Sequence, residues 1–403
     1  MNEFAPTATI DRVTLPSDER NGIGAAVRHA LTCAPAITDI VIEENEPIAV
    51  MSAAGSRPLY ELLPSVPRFL VTREHIVYYL AGSVEGDTVH QNAGDFFNKF
   101  IKPELEMRRP VSRRLDGRGD YSIRYTLFLA QTGRMKLFMR LTPKKITPLT
   151  ELGMPPALLA KLREAMSGLV LVTGRTGAGK TATAMSIIDW HNTNRDGHIL
   201  TIEDPIEYRL ERKRCLITQR EVGYDVPSFA EGMHEALRMR PDVLLTSEIR
   251  DSETTEQAIQ GSETGALLIA TMHGKTIHGT LRKLMSFAGP NEPALRRLLS
   301  GTLEAIICQT LVPGKDGKRF HMAMDVLFCT GQTQQLIEDG KWADLERQIV
   351  QETLPQGEFI SMNTRLVDLV ARGVVTPTEA LRETSNIGGL RAKLGRLQPA
   401  VAG

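Results

Sequence analysis

The stretch GLVLVTGRTGAGKT, residues 168–181, decides how the rest of the chain is read. Its first six residues form an apolar run too short for a helix, and they read as a strand buried on both faces. The next eight, GRTGAGKT (174–181), match G-x-x-x-x-G-K-[ST] in full. A helix expected over roughly 180–190 completes the strand–loop–helix setting that a phosphate-binding loop requires. Gly174, Gly177 and Gly179 let successive backbone N–H groups turn inward around an anion. The helix N-terminus adds its partial positive charge. In this reading Gly174, Arg175, Thr176, Gly177, Ala178, Gly179, Lys180 and Thr181 form the phosphate cradle. Lys180 reaches the β- and γ-phosphates, and Thr181 ligates Mg²⁺.

Downstream, short apolar runs alternate with helical stretches. TIEDP (201–205) ends a second strand, DVLLTS (242–247) is a third and ALLIAT (266–271) a fourth. Buried parallel strands with helical crossovers predict a three-layer α/β domain. Ser228 followed by Glu231 is a capping box that opens the helix running to Arg240. Hydrolysis needs more than a cradle, because a water must be oriented and Mg²⁺ held. Glu203 and Glu248 both end predicted strands of the same sheet, where strand ends converge on a ligand crevice. His273 follows the fourth strand and is placed either to hydrogen-bond a γ-phosphate or simply to pack at the strand terminus.

Upstream, residues 1–20 are polar and read as a mobile arm, and residues 21–142 read as an α+β domain. ITDIVIEENEPIAV (37–50) reads as strand–turn–strand, QNAGDFFNKFIKPELEM (91–107) as a helix, and residues 121–141 as a hairpin turning at Gln131-Thr132-Gly133. TPKKITPLTELGMPP (142–156) carries four prolines, and 143–156 is the expected linker. Residues 157–330 form the expected catalytic core. Residues 331–403 are expected to be mostly helical, with Thr376-Pro377 opening a late helix.

Composition narrows the function. The chain has 403 residues, 42% hydrophobic and 24% charged, with formal net charge zero, which is ordinary globular usage. Zero net charge, with only two Trp, seven Tyr and twelve Phe, argues against direct nucleic-acid binding and a RecA-like translocase. Four cysteines at 33, 215, 308 and 329 lack metal-ligand or CxxC spacing and read as buried thiols of a reducing compartment. The N-terminal stretch has no apolar core of a signal peptide, and no run is long enough to span a membrane, so a cytoplasmic location is expected.

Taken together, these motifs resemble the secretion and pilus ATPases of the PilT/GspE superfamily. GRTGAGKT is similar to that family's Walker A, TIEDPIEY (201–208) to its Asp box, RPDVLLTSEIRD (240–251) to its atypical Walker B and GSETGALLIATMH (261–273) to its His box. The likeness extends to TLEAIICQTLVPGKDGKR (302–319) and SMNTRLVDLVARGVVTPTEAL (361–381). VPSFAEGMHEALRMRP (226–241) and LRKLMSFAGPNE (281–292) look most like the DotB/TraJ type of type IVB secretion and conjugation, with PilT-type retraction motors the alternative. The resemblance implies a PAS-like N-terminal domain, a RecA-like P-loop domain and a C-terminal helical region. It implies a homohexameric ring that hydrolyses ATP with Mg²⁺ to drive a type IV secretion, conjugation or pilus machine, recruited to the inner membrane through platform proteins. Glu203 then polarises water, and Glu248 is the acid associated with Mg²⁺. Arg124 and Arg140 match arginines that act in the family as charge-stabilising fingers. Three positions depart from the pattern and bear on turnover: Ser247 stands where the family has Gly, Ala266 where it has His, and Thr126 where it has Asn. They leave a weakly hydrolysing, ATP-gated structural subunit as the reading from a different class.

Overall fold

The computed structural model of the protein describes residues 37–52, 55–62, 70–83, 101–107, 109–115, 121–317 and 319–396, together with Ile23, Val27 and Asn98. The expected N-terminal arm and Cys33 lie outside them, as does most of the helix expected over 91–107. The chain divides into two units, one of the residues up to Lys145 together with Asp316–Arg319, the other of Ile146–Lys315 and the residues from Phe320 onward.

The first unit is built on a six-stranded sheet. Its strands are β1 (Ile37–Glu43), β2 (Ala49–Ser52), β3 (Gly55–Pro58), β4 (Val111–Leu115), β5 (Tyr121–Leu129) and β6 (Met135–Pro143), in the order β3-β2-β1-β6-β5-β4. Every pairing is antiparallel. The period of two puts Ile40, Ile42, Leu137 and Met139 on one face, where they bury against Ile76 and Leu80 of helix α1 (Arg73–Ser83). A short helix α2 (Lys102–Glu106) precedes β4. The opposite face carries Asp39, Arg140 and Arg124 side by side, because these residues are cross-strand partners. The β5–β6 hairpin turns where expected, with Gly133 at φ +76°.

The second unit wraps an eight-stranded sheet: β7 (Gly168–Gly174), β8 (Gly197–Glu203), β9 (Cys215–Glu221), β10 (Val243–Thr246), β11 (Leu267–His273), β12 (Leu303–Pro313), β13 (Phe320–Phe328) and β14 (Phe359–Ile360). The order is β14-β13-β12-β7-β11-β10-β8-β9. From β12 to β9 the pairs are parallel, while β13 and β14 add antiparallel strands at the edge. Both faces of the central strands are buried, as the unbroken apolar runs imply. Leu169 and Leu171 enter one core with helices α5 (Phe229–Arg238), α6 (Ser252–Gly261), α7 (Ile277–Ala288) and α8 (Glu292–Thr302). Val170 and Val172 enter the other, with α3 (Pro156–Glu164) and α4 (Lys180–Asn194). Each such aliphatic contributes about 1.5–3 kcal/mol relative to exposure.

Several expectations are corrected. A strand, β9, intervenes between the second and third expected strands, and β12 and β13 form a long hairpin at the sheet's far side. The expected linker is not a loose connection: Leu149 and Met154 bury in the core beside α3. The C-terminal helices α9 (Gly331–Glu338), α10 (Trp342–Gln351), α11 (Met362–Ala371), α12 (Pro377–Glu383) and α13 (Ile387–Gly395) are interrupted by β14, which extends the sheet past residue 330. Two helix starts form as read. Ser228 Oγ accepts the Glu231 N–H, and Thr376 Oγ1 accepts the Glu379 N–H.

Candidate nucleotide site

The four parallel strands β8, β10, β11 and β7 end on Glu203, Thr246, His273 and Gly174. Their carboxyl ends therefore carry the Walker A loop, both candidate glutamates and the histidine on one rim. The loop from Gly174 turns through Gly177 and Gly179, at φ +80° and +82°, a region where a side chain is strained. Gly179 caps α4, and its carbonyl accepts the Thr183 N–H at 3.0 Å. Lys180 Nζ donates to the carbonyls of Gly174 (3.2 Å) and Arg175 (3.1 Å) and stands 3.4 Å from His273 Nδ1. Burial lowers the Lys180 pKa, and the negative charges of Glu248 and Glu207 partly offset this. Arg175, Thr176 and Gly177 are exposed at the loop's tip, while Ala178 is buried.

The two glutamates differ sharply in environment. Glu203, the last residue of β8, is 1% exposed. Its Oε1 accepts from Thr201 Oγ1 at 2.8 Å and from Gln219 Nε2 at 3.0 Å. Burial pushes its pKa up to about 7, against the pull of those two bonds. Gln219 is itself fixed, since it also donates to the Tyr208 carbonyl and accepts the Leu210 N–H. Glu248 is half-buried and held from two sides. Arg250 Nε donates to Oε2 at 2.8 Å, and His273 Nε2 lies 3.3 Å from Oε1. Arg250 also reaches Asp204 Oδ2 at 3.3 Å and stacks over the Phe229 ring at 5.4 Å. His273 thus joins Lys180 to Glu248. Burial, followed by the Lys180 charge, holds its pKa below the ordinary histidine range, so the ring is mostly neutral at pH 7.

Thr181 supplies a hydroxyl in the first turn of α4, and Glu248 a carboxylate at the same rim. Hard oxygen donors of this kind suit Mg²⁺, which binds through one or two protein groups and the substrate's phosphates rather than an all-protein cage. Among the described residues no cluster of three or more His, Cys, Asp or Glu is arranged to hold a metal.

Arg124 and Arg140 belong to the first unit, on adjacent strands β5 and β6. Arg140 Nε donates to the buried Asp39 Oδ1 at 2.9 Å, and Arg124 is exposed. Of the three departures, Ser247 adjoins Glu248, and its N–H and carbonyl are taken by Ile202 O and Thr271 Oγ1. Ala266 precedes β11 at the opposite end of that strand from His273, seven residues away, or about 23 Å of extended chain. It therefore lies away from the phosphate-binding rim of its own chain. Thr126 is half-buried on β5. Sequence reasoning passed over Thr201, Gln219 and Arg250, which orient the two glutamates. Arg250 lies within the quoted Walker B stretch, whereas Gln219 sits on the edge strand β9, which had no pattern to announce it.

A profile of the type II/IV secretion system protein family matches residues 105–369. The chain belongs to that family. The type IV pilus retraction ATPase PilT of Pseudomonas aeruginosa is 33% identical over 75% of this chain and 87% of its own length. YggR of Escherichia coli K12, an uncharacterised protein, is 39% identical over 53% of this chain, and the match spans 65% of YggR. The crystal structure of the pilus retraction motor PilT with bound ADP overlays with a TM-score of 0.71 at 30% identity, covering 93% of this chain and 98% of that one. The Legionella pneumophila ATPase DotB overlays at 0.75 with 20% identity, covering 92% and 97%, which is a likeness of fold. This member of the type II/IV secretion family is a RecA-like P-loop protein of the PilT/GspE superfamily and an ATP hydrolase. Among its described residues no helix is long and apolar enough to cross a membrane.

Proposed function

We propose that this chain is a hexameric motor that uses ATP to move parts of a type IV secretion, conjugation or type IV pilus machine, working at the cytoplasmic face of the inner membrane. The observation that carries the reading is Glu203: a buried carboxylate, aimed by Thr201 and Gln219, at the end of a strand whose sheet also presents the Walker A loop. ATP enters with its β- and γ-phosphates in the loop of residues 174–181, against the loop's N–H groups and the Lys180 ammonium. Bound Mg²⁺ would supply positive charge against the negative charge that develops on those phosphates. Thr181 and Glu248 are the residues that would hold it. Glu203 orients the attacking water and takes up its proton on the carboxylate, a role that suits a pKa near the working pH. In this reading His273, which bridges Lys180 and Glu248, registers the γ-phosphate.

Glu248→Gln should keep nucleotide binding but raise the Mg²⁺ concentration needed for half-maximal hydrolysis and lower the maximal rate. A Mg²⁺ titration of turnover checks this, and an unchanged midpoint would remove Glu248 from the metal's shell.

In the proposed ring, Arg124 and Arg140 serve a neighbour's ATP, where the planar guanidinium meets phosphoryl oxygens bidentately. Mixing two inactive proteins tests this. Arg124→Ala and Lys180→Ala, combined with subunit exchange verified by labelling, should regain part of the activity, because some interfaces then pair an intact loop with an intact arginine. If Arg124 serves its own chain's loop, every site stays defective and nothing returns.

A further inference from the structure

The Walker A loop rests on β12, a strand the reaction as described above does not use. β12 pairs with β7 as far as Cys308↔Thr173, so its next residue, Gln309, comes level with the start of the loop. Gln309 is 2% exposed. Its Nε2 donates to the Ala178 carbonyl at 2.7 Å, across 131 residues of sequence. Its own backbone oxygen would stand only 2.5 Å from a Cβ placed on Gly174, and its Nε2 3.4 Å from one placed on Gly179. One residue therefore seats the loop at both ends. The other half of its amide gains nothing: Oε1 is buried with no hydrogen-bond partner. An orphaned amide oxygen costs about 1–3 kcal/mol, and a methionine would fill much of the same volume without it. Core stability alone does not account for an amide here.

Peptide planarity supplies the reason. The carbonyl of Ala178 and the N–H of Gly179 belong to one rigid unit and point in opposite directions. Holding the carbonyl down onto β12 turns the Gly179 N–H the other way, away from β12. Gly179 is at φ +82°, with no Cβ to restrain the peptide from flipping. An oriented N–H of this kind is what a phosphate cradle needs in advance of binding. We propose that Gln309 is a positioning residue of the nucleotide site: through its Nε2 bond to Ala178 it sets the peptide plane that presents the Gly179 N–H to a phosphate of ATP. The inference rests on the reading of residues 174–181 as the ATP site.

The test measures equilibrium binding of ATP to the purified full-length chain, with Gln309→Met and Gln309→Glu beside the wild type. Gln309→Met should fold, with a thermal midpoint close to wild type, and bind ATP about tenfold more weakly, the usual worth of one hydrogen bond. Its KM for ATP should rise by the same factor while kcat changes little, because the lost contact is made before the chemical step. Gln309→Glu has the same shape but at pH 8 sets an acceptor against an acceptor. Its binding deficit relative to wild type should shrink towards pH 6, as the buried carboxyl takes a proton and becomes able to donate to Ala178. A folded Gln309→Met variant that binds ATP within about twofold of wild type would overturn the proposal, as would a Gln309→Glu deficit that is the same at both pH values. Failure of the wild-type chain itself to bind ATP would instead overturn the assignment of residues 174–181. Should Gln309→Met not fold, the pH response of Gln309→Glu decides alone.

Discussion

Replacing Glu203 with Gln should largely stop turnover while making the protein more stable above neutral pH. The catalytic half follows from chemistry. An amide at that position accepts hydrogen bonds from Thr201 and Gln219 as the carboxylate does, but cannot take a proton from water, so hydrolysis should fall by about 10²–10⁴-fold with ATP still bound. The stability half follows from burial. Glu203 titrates at about 7 in the folded chain against 4.5 for the ordinary carboxyl. Between those values the folded state holds a proton that the unfolded state has released, so stability falls as pH rises from about 4.5 to about 7 and is level above. The amide of the Glu203→Gln variant does not titrate and has no such loss. Thermal unfolding in nucleotide-free buffer should therefore give the same midpoint for both proteins near pH 4.5 and a higher one for Glu203→Gln at pH 8. The same titration makes wild-type kcat/KM climb with pH through about 7. A variant destabilised at pH 8, or one that still hydrolyses ATP normally, would show that the carboxylate is structural and that catalysis lies elsewhere.

The second large effect belongs to Lys180. Its ammonium is the cationic group bonded into the loop, on the carbonyls of Gly174 and Arg175, and burial makes it less well hydrated than a surface lysine. Against a triphosphate that charge acts in a medium far less polarisable than water, where it is worth more. Lys180→Ala should lower hydrolysis by at least about a hundredfold, the usual loss when a stabilising group is withdrawn from developing negative charge. ATP affinity should fall too, as read by displacement of a fluorescent nucleotide. Wild-type turnover in this variant would remove the loop from the mechanism.

Much of this architecture is legible in the chain because local chemistry dictates it. Gly177 and Gly179 sit at positive φ, so the loop's glycine spacing is a backbone requirement that shows in the letters. The core strands β7, β8, β10 and β11 are buried on both faces and stand out as short apolar runs. Strand β9 does not: after Cys215 its residues are all half-buried or exposed, without alternation, as befits an edge. In LEAIICQTLVP the apolar run of β12 is ambiguous between helix and strand, so only resemblance marked it. The groups that aim the site are the least visible. Gln219 meets Glu203 and Gln309 meets Ala178 through contacts that only the folded sheet creates. Ala266, which by motif comparison bears on turnover, precedes β11 at the end remote from His273. A motif collects residues by sequence order, while the strand separates them in space.

The proposal that this chain hydrolyses ATP at a site completed by assembly is tested most directly by phosphate release from Mg²⁺-ATP across a range of protein concentrations. Specific activity should rise with concentration and level off as rings saturate, and Lys180→Ala should release phosphate at least about a hundredfold more slowly at every point. Bound ATP with no release across the whole range would contradict a motor and make the chain a nucleotide-gated structural subunit.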